Sequence, residues 1–335
     1  MLSETDTNGY FSKRRFKLMW AGKRLIQIFW SYRVCQHQKV AYRPYRIWVE
    51  PTNKCNLACV MCSNKTFAPE EIGFMDFDLF KKIVNEARHF IYDMNIHHRG
   101  ESTLHPRFPE MIEYAAKNGI TVKFHTNGTL LTEDKCRALI EAGLALISFS
   151  FDGYNKKSYE SIRVNANFEK TLQNIERLYS IKQQLGRKNP KMVMEVMEAL
   201  EGFEYQPEEK KAFLARLHFL DRLIIKKPHN WGGNVSSDAF NDNDLVACTM
   251  PWHSQVILWD GRVGPCPHDF FAKIILGDVR EKSLVEIFNN RATRQLRERH
   301  LKLALRDYSP CNSCDTPRRR NVLGIPTPSL KYVKE

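Results

Sequence analysis

Residues 50 to 66 read EPTNKCNLACVMCSNKT, placing Cys55, Cys59 and Cys62 within eight positions of one another. The stretch follows YRIWVEP, an apolar run with the look of a β-strand, so the three thiols occupy the loop at its carboxyl end. Nine cysteines in a chain with no secretory features are poor candidates for structural disulfides, and a tight cluster of them points to a metal or to catalysis. Structural zinc closes four ligands and three thiols leave it short. A cubane of four irons and four sulfides is different, because three thiolates hold three irons and leave the last one open to a substrate. By spacing alone a zinc knuckle or three incidental thiols stay open as alternatives.

Length and composition set the frame around that loop. The chain has 335 residues, enough for one large domain and a smaller one, with 43% hydrophobic and 27% charged residues as in an ordinary globular protein. No apolar run approaches the roughly 18 residues of a membrane span. The first residues, MLSETDTNGY, lack the basic-then-apolar order of a secretory signal, so a cytoplasmic location is expected. The net charge of +13 is concentrated: Phe11 to Val49 holds ten Lys or Arg and no Asp or Glu. Within it Phe16, Met19, Trp20, Leu25, Ile26, Phe29 and Trp30 recur at helical spacing, which predicts a basic amphipathic helix in a segment spanning residues 1 to 44. The expectation is that it packs on the main domain. Contact of residues 11 to 33 with an anionic membrane surface is the alternative, and with no RNA-binding signature beside it nucleic acid is not expected.

From residue 45 to about 235 two kinds of segment alternate. YRIWVEP, DMNIHHRG, TVKFHTNG, LALISFSFDG, KMVMEVMEAL and RLIIKKPHN read as strands, with DFDLFKKIVNEARHF, RFPEMIEYAAKNG, TEDKCRALIEAG, FEKTLQNIERLYSIKQQLG and EEKKAFLARLHFL as helices between them. Strands joined by helices run parallel, so the fold class is α/β, either a partial (β/α)6 barrel or an open sheet. In both, the chemistry belongs at the carboxyl ends of the strands. After the sixth strand, Lys226, Lys227, His229, Asn230 and Trp231 offer a polar and aromatic mixture suited to a sugar or nucleotide, or a tight link into the tail.

The tail, residues 236 to 335, adds Cys248 and Cys266 around ILWDGRVG, where Asp260-Gly261 signals a hairpin turn. LGDVREKSLVEIFNN then reads as a turn into a helix, and Cys311 and Cys314 follow in CNSC. Four thiolates serve zinc and iron-sulfur equally well. Cys35 and Cys136 stand alone, Cys136 as an apolar filler in a helix.

Cys55-x3-Cys59-x2-Cys62 after the first strand of a six-fold β/α unit resembles the radical S-adenosylmethionine (SAM) superfamily. The resemblance implies that the open iron chelates the amino and carboxylate groups of SAM and that one electron cleaves the sulfonium to a 5′-deoxyadenosyl radical. RGES is similar to that family's Gly-Gly-Glu motif with Arg99 in place of the first glycine, which assigns Gly100 and Glu101 to the SAM amino group. HTNG and SFSFDG resemble its ribose-contacting strands, nominating Thr126, Asn127, Ser150 and Asp152, although Asp152 before Gly153 also suits a turn cap. Arg163 stands where the family pairs an arginine with the SAM carboxylate, and its planar fork matches both oxygens. Met61 stands before the third cysteine, where an aromatic residue usually meets adenine. The order Cys-x12-Gly-x4-Cys, then Cys-x2-Cys, is similar to the SPASM and Twitch extensions of such enzymes, and implies one auxiliary 4Fe-4S cluster on Cys248, Cys266, Cys311 and Cys314. On this resemblance the expected function is hydrogen abstraction from a small polar metabolite, such as a sugar, aminocyclitol or nucleotide, with net oxidation. A flavodoxin or ferredoxin would be the electron donor. Peptide or protein modification, epimerisation, and a non-catalytic metal-binding protein that docks on RNA or membrane are the alternatives.

Overall fold

A computed structural model describes residues 26–198, 200, 202–226, 230, 233, 245–318, 321–322, 325–326 and 330–333. The six expected strands form: β1 (Arg46–Val49), β2 (Asp93–Asn95), β3 (Thr121–Thr126), β4 (Leu146–Ser150), β5 (Lys191–Met197) and β6 (Arg222–Lys226). They pair in parallel in sequential order. Each crossover therefore steps the chain one strand along in the same direction. Because such crossovers are right-handed, the connecting helices all fall on one face and the sheet curls into part of a barrel.

Those helices are α1 (Phe77–Ala87), α2 (Phe108–Lys117), α3 (Glu133–Glu141), α4 (Lys156–Ile162), α5 (Phe168–Gln184) and α6 (Pro207–Arg216). Their starts are written locally. Asp76 accepts from the amides of Asp78 and Leu79 at the head of α1, and Thr132 and Asn167 do the same for α3 and α5. The buried stripe Phe80, Ile83, Val84 and Ala87 of α1 has the i, i+3, i+4, i+7 spacing that turns one face to the sheet.

Strand alternation decides what faces where. Ile47, Val49, Met94, Ile96, Val122, Phe124, Ile147, Phe149, Met192, Met194 and Val196 point under the helices and share one core. The residues between them, including Asn95, His97, His125, Ser148, Ser150, Glu195 and Lys226, take the other face, the inside of the barrel. One half of every strand is thus committed to stability and the other is free for chemistry.

The tail extends the same sheet. β7 (Ser254–Ile257) lies parallel to β1, β8 (Arg262–Gly264) returns antiparallel to it through the Asp260-Gly261 turn, and β9 (Gly277–Asp278) follows. At the other edge β12 (Leu330–Val333) pairs antiparallel with β6, and β10 (Asn321–Val322) and β11 (Ile325–Pro326) form a separate small ribbon. Helices α7 (Leu284–Asn289) and α8 (Arg291–Leu301) complete the described tail.

The N-terminal segment departs from its expected face. Phe16, Met19, Trp20 and Leu25 lie outside the described residues. In the helical piece that is described, Ile28 and Tyr32 are the packed side chains, against Val40, Tyr42, Trp252 and Phe288, whereas Ile26 and Trp30 are 68% and 57% exposed. A π turn over Trp30–Val34, closed by Cys35 N–H to the carbonyl of Trp30, shifts the phase there away from a regular 3.6-residue repeat. No described helix is long and apolar enough to cross a membrane.

Candidate active site and auxiliary metal centre

The loop after β1 and the loop after β2 are pressed together at the top of the barrel. A Cβ added to Gly100 would sit 2.5 Å from the carbonyl oxygens of Thr52 and Lys54, so only glycine lets the second loop lie on the first. Glu101 N–H donates to Lys54 O at 2.8 Å, and buried Asn64 donates to the carbonyls of both Asn53 and Arg99. Beneath them Arg99 forks onto Glu50 at the end of β1, with Nε to Oε2 and Nη2 to Oε1 both 2.7 Å. Burial alone would raise the Glu50 carboxyl, but Arg99 holds it below the usual carboxylate range.

The clamp brings Cys55, Cys59 and Cys62 to one wall of a cavity of about 190 Å³. Met61, Gly100, Glu101, Thr126, Asn127, Ser150 and Arg163 also line it. Asp152 does not: fully buried, it accepts Met197 N–H at 2.8 Å and pairs with Arg163, acting on the cavity through that arginine. Arg163 reaches within 3.9 Å of Cys59 Sγ, and its Nε is buried without a hydrogen-bond partner among the described residues. Such a cation beside a thiol and open to the cavity suits an anionic ligand group. Glu101 takes Thr103 and Thr126 hydroxyls at 2.7 and 2.9 Å and Asn127 N–H at 2.8 Å, which fixes its carboxylate at the rim. Burial pushes the Cys55 thiol up to about 12, so metal ligation there must displace protons.

Sequence reasoning missed another part of the lining, made by His97, His98, His125, Met197 and Phe270. The His97 and His125 rings lie 4.3 Å apart, His125 Nδ1 is 3.7 Å from Glu195 Oε1, and Glu195 pairs with Lys226. Burial drives His97 well below its ordinary value and His98 down to about 4, so both are neutral at pH 7. Burial by itself would raise Glu195, yet neighbouring His125 and Lys226 keep it low. His97 Nδ1 and His98 Nε2 have no hydrogen-bond partner among the described residues. The signal was present in the strands, since polar residues at alternate positions of parallel strands that should be apolar on both faces mark an occupied interior. Of the residues expected after the sixth strand, Lys226 is the last of β6 and belongs to this interior through its pair with Glu195. Asn230 instead ties to the tail through Ser313 O and Asp315, and Lys227, His229 and Trp231 lie outside the described residues.

Cys248, Cys266, Cys311 and Cys314 line a second, smaller cavity with Met250, His268, Leu296 and His300. Burial raises all four thiols, Cys248 to about 12, and several raise one another by proximity. Arg318 donates to the carbonyls of Cys311, Asn312 and Cys314, pinning the CNSC turn. Among the described residues no three His, Cys, Asp or Glu side chains converge as a lone ion requires. The thiolates of a cubane go to separate irons and need not converge. Cys136 is buried in the helix-side core, and neither it nor Cys35 lines either cavity.

A partial β/α barrel with three loop cysteines at its mouth and a four-cysteine tail defines an iron-sulfur enzyme of the radical type, and comparison with known proteins gives the family. The profile of the radical SAM superfamily matches residues 49–185 and that of the SPASM iron-sulfur cluster-binding domain matches 248–315; the chain belongs to this superfamily. Such a domain carries a 4Fe-4S cluster and SAM, and SPASM a further iron-sulfur centre. The chain is 29% identical over 329 residues to a Pyrococcus furiosus protein described as a tungsten-containing aldehyde ferredoxin oxidoreductase cofactor-modifying protein, covering 82% of this chain and 90% of that one. Over 134 residues it is 33% identical to an AdoMet-dependent heme synthase of Methanosarcina barkeri, covering 40% and 38% of the two chains. Mycofactocin maturase MftC of Mycobacterium tuberculosis is 29% identical over 130 residues, covering 38% and 33%. In fold it resembles BtrN in complex with AdoMet and 2-DOIA, with a TM-score of 0.56 at 19% identity over 82% of this chain and 94% of that one.

Proposed function

We propose that this protein dehydrogenates a small polar molecule by radical SAM chemistry, with Cys55, Cys59 and Cys62 holding the SAM-binding cluster and Cys248, Cys266, Cys311 and Cys314 the auxiliary one. When bound, the cluster and SAM supply a 5′-deoxyadenosyl radical that removes one hydrogen atom from carbon. Arg163, held by Asp152, faces the SAM carboxylate, Glu101 the amino group, and Thr126, Asn127 and Ser150 the remainder of the molecule. His97 and His98, kept neutral by burial, orient hydroxyl groups, and His125, faced by Glu195 at 3.7 Å, accepts the proton that leaves when an alcohol becomes a ketone.

The observation that carries the reading is the cavity lining. Apart from the three cluster cysteines it contains no thiol among the described residues to return a hydrogen atom, and Phe270 on its lining lies only four residues along the chain from Cys266. Loss of an electron toward the tail is favoured over epimerisation. The full-length likeness to a cofactor-modifying protein supports a cofactor or its precursor as the small polar molecule. Flavodoxin or ferredoxin supplies the electron in the cytoplasm. Anaerobic incubation with candidate polyols and cofactor precursors, read by mass spectrometry, is expected to yield a product two mass units lighter with one SAM consumed per turnover. A product of unchanged mass that gains deuterium from heavy water would refute dehydrogenation.

A further inference from the structure

The auxiliary thiols share their cavity with two imidazoles, His268 and His300, and the second reaches a ligand sulfur. His300, in the last turn of α8, is 2% exposed, with Nδ1 3.3 Å from the Cys248 backbone nitrogen and Nε2 3.7 Å from Cys311 Sγ. A backbone N–H only donates, so Nδ1 is the accepting nitrogen and the ring proton resides on Nε2, aimed at the sulfur. One turn earlier, Arg297 is completely buried. Its guanidinium donates to the carbonyls of Pro251, Gln38 and Phe288 at 3.0, 2.8 and 2.8 Å and to Asn289 Oδ1 at 3.0 Å. None of these acceptors is charged, and Pro251 itself lines the cavity of the four cysteines.

We propose that α8 tunes the auxiliary cluster to accept an electron: His300 donates a hydrogen bond to the Cys311 thiolate, and Arg297 supplies a buried positive charge that its own partners leave uncancelled. Reduction adds a negative charge to a centre already carrying four thiolates. A donor on a ligand sulfur and a desolvated cation nearby both favour the more negative state, and both raise the reduction potential. In the proposed dehydrogenation, a cluster held by these four cysteines would take up the electron that the substrate radical must lose, while His125 would take the hydroxyl proton. Only that consequence rests on the proposed function; the potential does not.

The test uses the full chain with Cys55, Cys59 and Cys62 changed to Ala, so that the auxiliary cluster alone is titrated, with its midpoint followed by electron paramagnetic resonance. His300→Phe and Arg297→Met are each expected to lower the midpoint at unchanged iron content, and His300→Gln, which keeps an N–H donor, to restore most of the first loss. Either apolar variant with full iron and the parent midpoint overturns the proposal. Should His300→Phe lose its iron, the parent protein labelled with ¹⁵N-histidine decides the matter. Pulsed resonance of its reduced auxiliary cluster is expected to show a histidine nitrogen coupling that persists in His268→Phe, the other histidine of the cavity, and its absence there overturns the hydrogen bond. An unchanged product mass with a shifted midpoint would sink the dehydrogenation reading and leave the tuning in place.

Discussion

Replacing Arg99 by Met removes one partner of a pair buried from both sides, since the side chains of Arg99 and Glu50 are 3% and 0% exposed. Glu50 is left with two long backbone contacts, the amides of Arg99 and Trp259 at 3.3 Å each. Breaking a buried pair from one side costs about 3–5 kcal/mol, because the surviving charge stays desolvated. That is a large share of the roughly 5–15 kcal/mol that holds a domain folded. The pH dependence gives the sharper signature. In the parent, Arg99 holds Glu50 below its ordinary value near 4.5, so the pair's contribution is complete above that pH and fades as acid takes the carboxyl through its folded value. In Arg99→Met burial, the largest influence, is opposed only by the weaker pull of His98 and the backbone amides, so the carboxyl should rise above 4.5 and stability should increase as the pH is lowered toward that value. Denaturant unfolding of parent and variant, at equal iron content from pH 7.5 to 4.5, measures both effects. Glu50→Leu/Arg99→Met should recover most of the loss, as apolar replacement of both partners often does. A loss under about 1 kcal/mol at pH 7, or a pH slope of unchanged sign, would refute the clamp.

Changing Cys55, Cys59 or Cys62 to Ala should abolish reductive cleavage of SAM, and the triple variant should keep about four irons on the tail; 5′-deoxyadenosine at the parent rate, or zinc in place of iron, contradicts the ligand sets. Gly100→Ala should cost at least 10-fold in SAM cleavage, since its Cβ has no room against the cysteine loop, and a variant cleaving at the parent rate would show that the two loops can part. Deleting residues 1 to 40 strips Ile28, Tyr32 and Val40 from Trp252 and Phe288, about 1.5–3 kcal/mol for each apolar side chain, so solubility and melting temperature should fall. A truncation that stays soluble and loses only vesicle binding would make the segment a docking device.

Much of this protein is written along the chain. Three thiols in eight residues, the strand before them and the cap-and-stripe pattern of each helix are local signals, because a period of two or 3.6 and a capping side chain act within a few residues of themselves. They specify the parallel strands, the order in which they occur and the two cysteine sets. What the sequence by itself left open depends on residues distant in the chain. Arg99 reads as a flaw in a glycine motif until the curl of the barrel brings it to Glu50, 49 positions away, where it becomes a clamp. Asp152 sits in the right motif but reaches the cavity only through Arg163. His125, Glu195 and Lys226 come from three strands and His97 from the segment just after β2, and they meet only because sequential parallel pairing stacks their inward faces. The same holds for β7 beside β1 and for the His300 ring against Cys311. Those contacts follow from closure of the sheet and packing of the tail, which no local periodicity encodes.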